Sequence, residues 1–251
     1  MTYVTYVLRT LYGLYGWLVF AVCCICALLV TLVVPGAQLR HRLTAGLSRA
    51  VFILGGVPAR VIGLENLPEG DSVVVANHAS FVDGILLNGY PPGRFSFVIK
   101  GEMRDVPLVH FVLRRSGARF VERHEQGGSS RDARQIVKAA LGGQSLGFFP
   151  EGTFRREPGV GRFRPGAFVA AVRGNMPVVP IAITGTREMM PDGRLWPWPF
   201  RPTMQVLPAI MPDDPAFENH KVLAEAARQQ ILAVLGEPDL CKVAEPDFNE
   251  D

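Results

Sequence analysis

The chain has 251 residues, of which 48% are apolar and 20% are charged, and its formal net charge is +3 at pH 7. This length allows one well-packed domain with an appendage, but not two full-sized domains. The small net charge falls well short of the basic patch of a nucleic-acid-binding protein, so we expect no nucleic acid among its partners. The positive mean hydropathy instead favours contact with a membrane.

The first predicted element is a long apolar helix near the amino terminus. No charged residue lies between Arg9 and Arg40, and residues 17–34 are almost continuously apolar. At about 1.5 Å per residue, this run is long enough to cross or enter a bilayer. It exceeds the apolar core of a signal peptide, and no small-x-small cleavage site precedes Pro35, so we expect a retained anchor. The sequence leaves open whether the helix spans the bilayer or re-enters it.

A second helix is predicted directly after the anchor, over residues 37–54. Arginines follow the apolar run at positions 40, 42 and 49, while only Arg9 and the amino terminus precede it. The positive-inside rule therefore places the rest of the chain on the cytoplasmic side of the inner (cytoplasmic) membrane. Apolar residues share one face of this second helix, which predicts an interfacial helix on anionic headgroups. That face consists of Leu39, Leu43, Leu47, Val51 and Phe52.

The four cysteines do not follow the spacing of disulfide frameworks or metal sites. Cys23, Cys24 and Cys26 lie inside the apolar run, and Cys241 stands alone near the carboxyl terminus. We expect the first three to be small apolar filling residues, and we expect no metal and no redox cofactor.

After residue 56, short apolar runs alternate with stretches of helical periodicity, which predicts an α/β domain. The predicted strands are Arg60–Gly63, Ser72–Ala76, Phe95–Ile99, Ala118–Glu122, Ser145–Phe149, Val178–Thr184 and Met204–Ile210. The predicted helices are Asp83–Asn88, Val106–Arg115, Ser130–Leu141, Gly166–Arg173 and Phe217–Leu235. We expect a mixed, mostly parallel sheet flanked by helices, with the chemistry where strands end.

The chain is thus predicted to contain three segments. Residues 1–56 form membrane-associated helices, 57–236 form the α/β domain, and 237–251 form an acidic, flexible tail with little to bury. Within the domain, Pro191–Pro202 is rich in Pro, Trp and Arg. It is predicted to be an irregular surface loop whose aromatic residues rest at the membrane interface.

A histidine and an aspartate follow the second predicted strand. That strand continues into Asn77 and His78, and Asp83 follows five residues after the histidine. A carboxylate at this spacing reaches one ring nitrogen and leaves the other free to take a proton from an attacking alcohol. The pattern predicts a base without a protein nucleophile. The alternative is a helix capping box formed by Ser80 and Asp83, and both interpretations are compatible.

A second polar turn follows the fifth predicted strand, in the sequence Phe-Pro-Glu-Gly-Thr that contains Glu151, Gly152 and Thr153. Several arginines follow within thirteen residues, a density suited to binding phosphate through forked hydrogen bonds. They are Arg155, Arg156, Arg162 and Arg164. The alternative is an ordinary solvated basic loop.

Two weaker elements accompany these turns. Gly117 leads into a predicted strand that ends near Arg123, and Val-Pro-Ile at residues 179–181 lies within another strand. The four elements together resemble the glycerolphosphate and lysophosphatidate acyltransferase family. Its motifs are Asn-His-x-x-x-x-Asp, Gly-x-x-Phe-x-x-Arg, Phe-Pro-Glu-Gly-Thr and Val-Pro-Ile, and the resemblance covers residues 60–210.

This resemblance implies transfer of a fatty acyl group from acyl-CoA or acyl carrier protein to the free hydroxyl of 1-acylglycerol-3-phosphate, giving phosphatidate. His78 would be the general base and Asp83 the residue that orients it. The substrate-binding residues implied are Asn77, Lys100, Arg123, Glu151, Gly152, Thr153 and Arg155. Membrane lipids are implied as partners, with the acyl chains entering the site from the bilayer.

One position departs from the pattern. Many lysophosphatidate acyltransferases have arginine directly after Glu-Gly-Thr, whereas this chain has Phe154 followed by Arg155. Either Arg155 replaces the missing arginine, or the acceptor is a different lysophospholipid or a lyso-aminolipid. The remaining alternatives are a hydrolase that uses water on His78 and a non-catalytic lipid-binding protein.

Overall fold

The computed structural model describes residues 3–92, 95–100, 111, 115, 119–121, 128–194 and 196–242. The described strands are β1 Arg60–Ile62, β2 Val73–Ala76, β3 Ser96–Lys100, β4 Arg119–Val121, β5 Leu146–Phe148, β6 Val178–Thr184 and β7 Thr203–Val206. The described helices are α1 Tyr3–Val33, α2 Ala37–Leu54, α3 Val82–Gly89, α4 Gly128–Leu141, α5 Gly166–Gly174, α6 Thr186–Met189 and α7 His220–Leu235. Short 3-10 turns occupy Leu64–Asn66 and Pro215–Glu218.

The described strands form one sheet in the order β1-β7-β6-β2-β5-β3-β4. Strands β6, β2, β5, β3 and β4 run parallel to one another. Strand β7 is antiparallel to β6, and β1 is parallel to β7, so this edge runs in the opposite direction. The predicted mixed, mostly parallel sheet is confirmed.

The central strand β2 shows why the sheet is covered on both faces. Its four residues are all buried and apolar, as expected for a strand with helices on either side. Val73 and Val75 point into a core shared with α4, α5 and α7. Val74 and Ala76 alternate to the other face, where they pack with α2 and α3. Each face therefore has its own hydrophobic core.

The predicted strands are all present among the described residues, with small differences at their ends. The largest difference is in the last strand, predicted as Met204–Ile210, which ends at Val206. The helix predicted over Val106–Arg115 lies outside the described residues apart from positions 111 and 115. The last helix begins at His220 rather than Phe217, because the Asn219 side chain caps it by accepting the Lys221 N–H at 2.8 Å.

The amino-terminal helices are present at the predicted positions. Residues Thr5–Val33 form a helix that is long and apolar enough to cross a membrane. Leu18, Ile25 and Leu32 are each more than half exposed along it, which suits an environment of lipid. The prediction for α2 is wrong in one respect. Phe52 is not part of an interfacial face, because it is buried in the core beside α3.

The loop predicted over Pro191–Pro202 contacts α1. Trp196 packs on Gly13 so closely that a side chain at position 13 would overlap its indole, and Pro197 packs on Gly16. The indole Nε1 donates a hydrogen bond to the Arg9 carbonyl at 3.2 Å. The two glycines therefore form a notch that receives the loop and fixes α1 against the domain.

The carboxyl-terminal segment differs from the flexible tail expected from its composition. Asp239 forms an ion pair with Arg228, whose side chain is only 1% exposed. Residues Val160 and Asp239 also form a β-bridge. Residues 237–242 are therefore fixed against the domain, and residues 243–251 lie outside the described part of the chain. The division of the chain at residues 56 and 57 stays a prediction.

We expect Gly13→Ala to lower the thermal stability of the protein, because the new methyl group would overlap Trp196. Overpacking of this kind costs about 1–3 kcal/mol. Gly46→Ala is the matched control, since position 46 also lies in a helix but has open space around it. Thermal melting in detergent should show a loss for position 13 and none for position 46. Equal effects of the two substitutions would contradict the notch.

Candidate active site

The candidate site lies where β2 ends, beside the carboxyl ends of β5 and β6. Asn77 follows β2 directly and joins it to β6. Its side-chain Nδ2 donates to the Ile183 carbonyl at 2.9 Å, and its Oδ1 accepts the Ile183 N–H at 2.7 Å. The paired bonds set where the chain leaves the sheet. Asn77 is thus a scaffold residue in this structure, rather than one whose amide is free for substrate.

The predicted contact between His78 and Asp83 is present. His78 Nδ1 lies 2.9 Å from Asp83 Oδ2, and the Asp83 side chain is fully buried. The same oxygen accepts the N–H groups of Ala79 at 2.7 Å and Ser80 at 2.8 Å. Because an ionised carboxylate only accepts hydrogen bonds, Nδ1 is the donor and the Nε2 lone pair is the basic position. No hydrogen bond to Nε2 occurs within the described part of the chain.

The capping interpretation of Asp83 is compatible with this dyad. Asp83 accepts the Ser80 N–H as a capping residue would, while also binding the histidine ring. The Ser80 hydroxyl donates to the Met190 carbonyl at 2.6 Å and is fully buried. The Ser80 hydroxyl therefore has a structural contact and is not positioned to act as a nucleophile.

Glu151 connects its own turn to two other backbone segments. Its Oε1 accepts the His78 N–H at 3.0 Å, and its Oε2 accepts the Gly161 N–H at 3.0 Å. Burial raises the pKa of this carboxyl, against the opposing effects of the two N–H donors and of the charges on His78 and Arg187. Gly152 then turns the chain at a φ of +83°, a conformation that glycine adopts without strain. Glu151 thus holds the backbone at His78 and also lines a neighbouring cleft.

Aromatic rings surround the imidazole. The Phe149 ring stacks on His78 with centroids 4.0 Å apart, and the edge contact of Phe154 is at 4.7 Å. Phe81 in turn contacts Phe154 at 4.6 Å and is 62% exposed. Phe154, which stands where many lysophosphatidate acyltransferases have arginine, thus places an apolar ring against the imidazole. These contacts fix the ring orientation and leave the His78 side chain 17% exposed.

A basic cleft of about 490 Å³ lies on the other side of Glu151. Arg155, Arg162, Arg164 and Lys221 supply its positive charges, and Thr153 and Glu225 also line it. The cleft has the charge needed to hold a phosphate. The sequence pattern predicted the arginines but not Lys221, because Lys221 lies far along the chain, 70 residues after Glu151. Lys100 is the last residue of β3, and its side chain and all of Arg123 lie outside the described residues.

Arg187 shapes the loop that carries Arg155 and was not predicted from the sequence. Its Nη1 donates to the carbonyls of Arg155 at 2.7 Å and Glu157 at 2.8 Å. Its Nη2 forms an ion pair with Glu237 at 3.0 Å, and Glu237 also accepts the Gly159 N–H at 2.7 Å. One guanidinium and one carboxylate thus fix the backbone of residues 155–159.

A family model described as Acyltransferase matches residues 58–184, just over half of the 251 residues. The match runs from two residues before β1 to the end of β6 and includes His78, Asp83 and Glu151. The chain belongs to the acyltransferase family. The predicted family is confirmed.

Named relatives share the domain at about one-third identity. The chain is 31% identical over 166 residues to the chloroplastic 1-acyl-sn-glycerol-3-phosphate acyltransferase LPAT1 of Arabidopsis thaliana, which covers 65% of this chain and 46% of that protein. It is 32% identical over 163 residues to the lysophospholipid acyltransferase LPCAT4 of Mus musculus, covering 63% of this chain and 30% of that protein. The chain thus spans less than half the length of these relatives.

A solved structure shares the whole fold. The crystal structure of the 1-acyl-sn-glycerophosphate (LPA) acyltransferase PlsC from Thermotoga maritima aligns with a TM-score of 0.76 at 22% sequence identity. The alignment covers 96% of this chain and 98% of that one, so it includes the amino-terminal helices as well as the sheet.

We expect Arg187→Gln to loosen the loop at residues 155–159, because the shorter neutral side chain loses the ion pair to Glu237 and its carbonyl contacts. Hydrogen bonds from charged groups contribute about 1.5–3 kcal/mol each, so amide exchange in this loop should rise roughly tenfold or more. Hydrogen-exchange mass spectrometry measures the exchange rate of the amides in this loop. Arg134→Gln on the exposed surface of α4 is the control, and unchanged exchange in the Arg187 variant would contradict the assignment.

We expect the pH dependence of stability to identify Glu151. A carboxyl whose folded pKa is raised above its ordinary value favours the folded state most at low pH, and this contribution is lost as pH rises through the raised pKa. The neutral amide side chain of the Glu151→Gln variant does not titrate. The melting temperature of wild type minus that of Glu151→Gln should therefore fall as pH increases from about 4.3, the ordinary pKa of a glutamate. A difference that rises with pH would show that the pKa is lowered instead.

Proposed function

We propose that this chain transfers a fatty acyl group from acyl-CoA or acyl carrier protein to the free hydroxyl of 1-acylglycerol-3-phosphate, giving phosphatidate. The observation that carries the proposal is the 2.9 Å contact between His78 Nδ1 and the buried Asp83 carboxylate. It orients the ring so that Nε2 is the basic nitrogen. A lipid-binding scaffold has no need of a base oriented in this way.

In the proposed reaction, His78 Nε2 removes the proton of the acceptor hydroxyl as its oxygen attacks the thioester carbonyl. The tetrahedral intermediate then collapses, the carbon–sulfur bond breaks, and the thiolate leaves with the proton from the imidazolium. Asp83 stabilises the imidazolium during this transfer. General base assistance contributes about 10²- to 10⁴-fold, and positioning of the two substrates supplies much of the rest.

The acceptor headgroup is proposed to lie near the turn formed by Glu151, Gly152 and Thr153. Arg155 borders this turn and is the proposed substitute for the arginine absent at position 154. Lys100 and Arg123 stay predictions from the resemblance. The thioester donor is proposed to be the only cosubstrate, without a metal or redox cofactor.

The membrane orientation is part of the proposal. We place α1 in the cytoplasmic membrane and the α/β domain on its cytoplasmic side. Arg9 and Arg49, at the ends of α1 and α2 that contact the domain, favour that side. The acceptor and its acyl chain then reach the site from the bilayer. The exposed apolar side chains of α1 are consistent with this arrangement.

A second candidate is transfer to a different lysophospholipid. Phe154 lies against His78 where many relatives have arginine, which favours an acceptor whose headgroup is not a phosphate monoester. The likeness to a mouse protein named lysophospholipid acyltransferase adds to this candidate. Both candidates use the same base.

Acyl transfer by the full-length protein in nanodiscs tests the proposal. Wild type would receive acyl-CoA or acyl carrier protein and a panel of lysolipids. We expect phosphatidate from wild type, a loss of about 10²- to 10⁴-fold in His78→Ala and in Asp83→Asn, and full activity in the control His220→Ala. Free fatty acid as the main product would instead identify a hydrolase.

Acylation of another lysolipid without phosphatidate would select the second candidate. If no lysolipid is acylated with either donor, the chain is not a transferase for these substrates and the catalytic proposal fails.

A further inference from the structure

The basic cleft beside Glu151 contains three cations that have no partner among the described residues. Arg162, Arg164 and Lys221 line the cleft together, and all three side chains are exposed. None of these side chains forms a hydrogen bond or an ion pair with a residue in the described part of the chain. We call Arg162, Arg164 and Lys221 the cleft cations. Arg155 also lines the cleft, but it is already assigned to the proposed acceptor site.

Both glutamates that line the cleft bind other protein groups. Glu151 accepts a backbone N–H group with each of its two oxygens, both at 3.0 Å. Glu225 Oε1 accepts hydrogen bonds from Arg228 at 3.3 Å and from Gln229 at 2.6 Å. Neither glutamate forms an ion pair with the cleft cations, so the charge of these cations is available to an anionic ligand.

The cleft lies on the face of the sheet opposite to the membrane helices. Phe163 and Ala224 form part of its wall, and both belong to the core shared with α4, α5 and α7. Helix α2, which packs against α1, lies with α3 on the other face of the sheet. In the proposed membrane orientation, the cleft is therefore reached from water, whereas a lysolipid in the bilayer approaches from the side of α2.

The volume and charge of the cleft indicate the kind of anion that it suits. Its volume of about 490 Å³ lies within the range of small-molecule sites, roughly 300–1,000 Å³. A phosphate monoester carries about two negative charges, so three cations in addition to Arg155 match a ligand with more than one phosphate. Coenzyme A is such a ligand, since it carries a diphosphate and a ribose phosphate. A carrier protein would instead present its acidic side chains over a surface of about 800 Å², which is far broader than this cleft.

We propose that the cleft cations bind the phosphate groups of the coenzyme A part of the acyl donor. This inference rests on the proposed acyl transfer and names the donor for it. The pantetheine arm would run past Glu151 towards His78, because Glu151 holds the His78 N–H with one oxygen and the Gly161 N–H in the cleft wall with the other. A water-soluble donor and a lipid acceptor thus reach the base from opposite faces of the sheet.

Binding of free coenzyme A to the full chain tests the proposal, because it needs neither an acyl chain nor turnover. Isothermal titration calorimetry in nanodiscs of zwitterionic lipid would compare wild type with variants. We expect Arg162→Gln with Lys221→Gln to weaken binding of coenzyme A about tenfold or more. The control pair Arg60→Gln with Arg134→Gln removes the same charge from other exposed positions and should leave binding unchanged.

Three ligands show whether the phosphates are what the cleft binds. Wild type should bind coenzyme A more tightly than dephospho-coenzyme A, which lacks the ribose phosphate, and should bind pantetheine, which has no phosphate, most weakly. Added salt should weaken the binding of coenzyme A to wild type more than to the Arg162 and Lys221 variant pair. Equal affinity for the three ligands, or equal effects of the two variant pairs, would overturn the proposal. Acylation from acyl carrier protein by a chain that binds no coenzyme A would also overturn it.

Further measurements separate loss of charge from loss of folding. Arg162→Lys keeps the charge and should retain most of the binding, and the Arg162 and Lys221 variant pair should melt at the temperature of wild type. If wild type binds coenzyme A through the cleft but acylates nothing, the proposed function fails and this site stands. If it acylates lysolipids from acyl-CoA while the variant pair binds coenzyme A normally, the site fails and the proposed function stands.

Discussion

The site depends on one buried oxygen, Oδ2 of Asp83, which accepts three hydrogen bonds from consecutive residues. These are the ring N–H of His78 and the backbone N–H groups of Ala79 and Ser80. A fully buried carboxylate is costly unless it is hydrogen-bonded in this way. The turn between β2 and α3 therefore has little freedom, and the histidine ring points where this turn directs it. The hydrogen bonds that form the turn therefore also orient the histidine ring.

Long-range contacts hold this turn against the rest of the domain. Asn77 ties it to β6, and Glu151 binds the backbone N–H of His78 from the turn after β5. The carboxyl ends of three neighbouring strands thus meet around one residue, as expected for an open α/β sheet. Because this position buries the Glu151 carboxyl, its pKa is raised. The charged and amide side chains around the turn thus hold backbone groups, while His78 Nε2 has no hydrogen bond to any described residue.

Residues outside the Phe-Pro-Glu-Gly-Thr motif hold the loop that follows Glu151. Arg187 and Glu237 bind its carbonyls and N–H groups, and the segment after α7 is in turn held by the buried ion pair of Arg228 and Asp239. The carboxyl-terminal residues are thereby connected to the loop that carries Phe154 and Arg155. The notch at Gly13 and Gly16 receives Trp196 and Pro197 and connects α1 to the domain. A second connection runs through α2, whose Phe52 packs in the same core as Leu86 of α3.

The sequence by itself determined the features that depend on short spacing and periodicity. These include the apolar helix, the succession of strands and helices, and the pair His78 and Asp83, which are five residues apart and meet within one turn. Two predictions from the sequence were wrong, one from helical periodicity and one from composition. Phe52 was expected on a membrane-facing surface and lies in the core, and residues 237–242 were expected to be flexible and are fixed by ion pairs.

Only the tertiary structure decided the contacts between distant positions. Glu151 binds the N–H of a residue 73 positions away, and Arg187 reaches the carbonyl of Arg155 across 32. Such contacts depend on strand order and on loop paths, which local periodicity does not encode. The sequence also could not show that Phe154 packs on His78, because that contact requires β2 and β5 to be neighbours in the sheet.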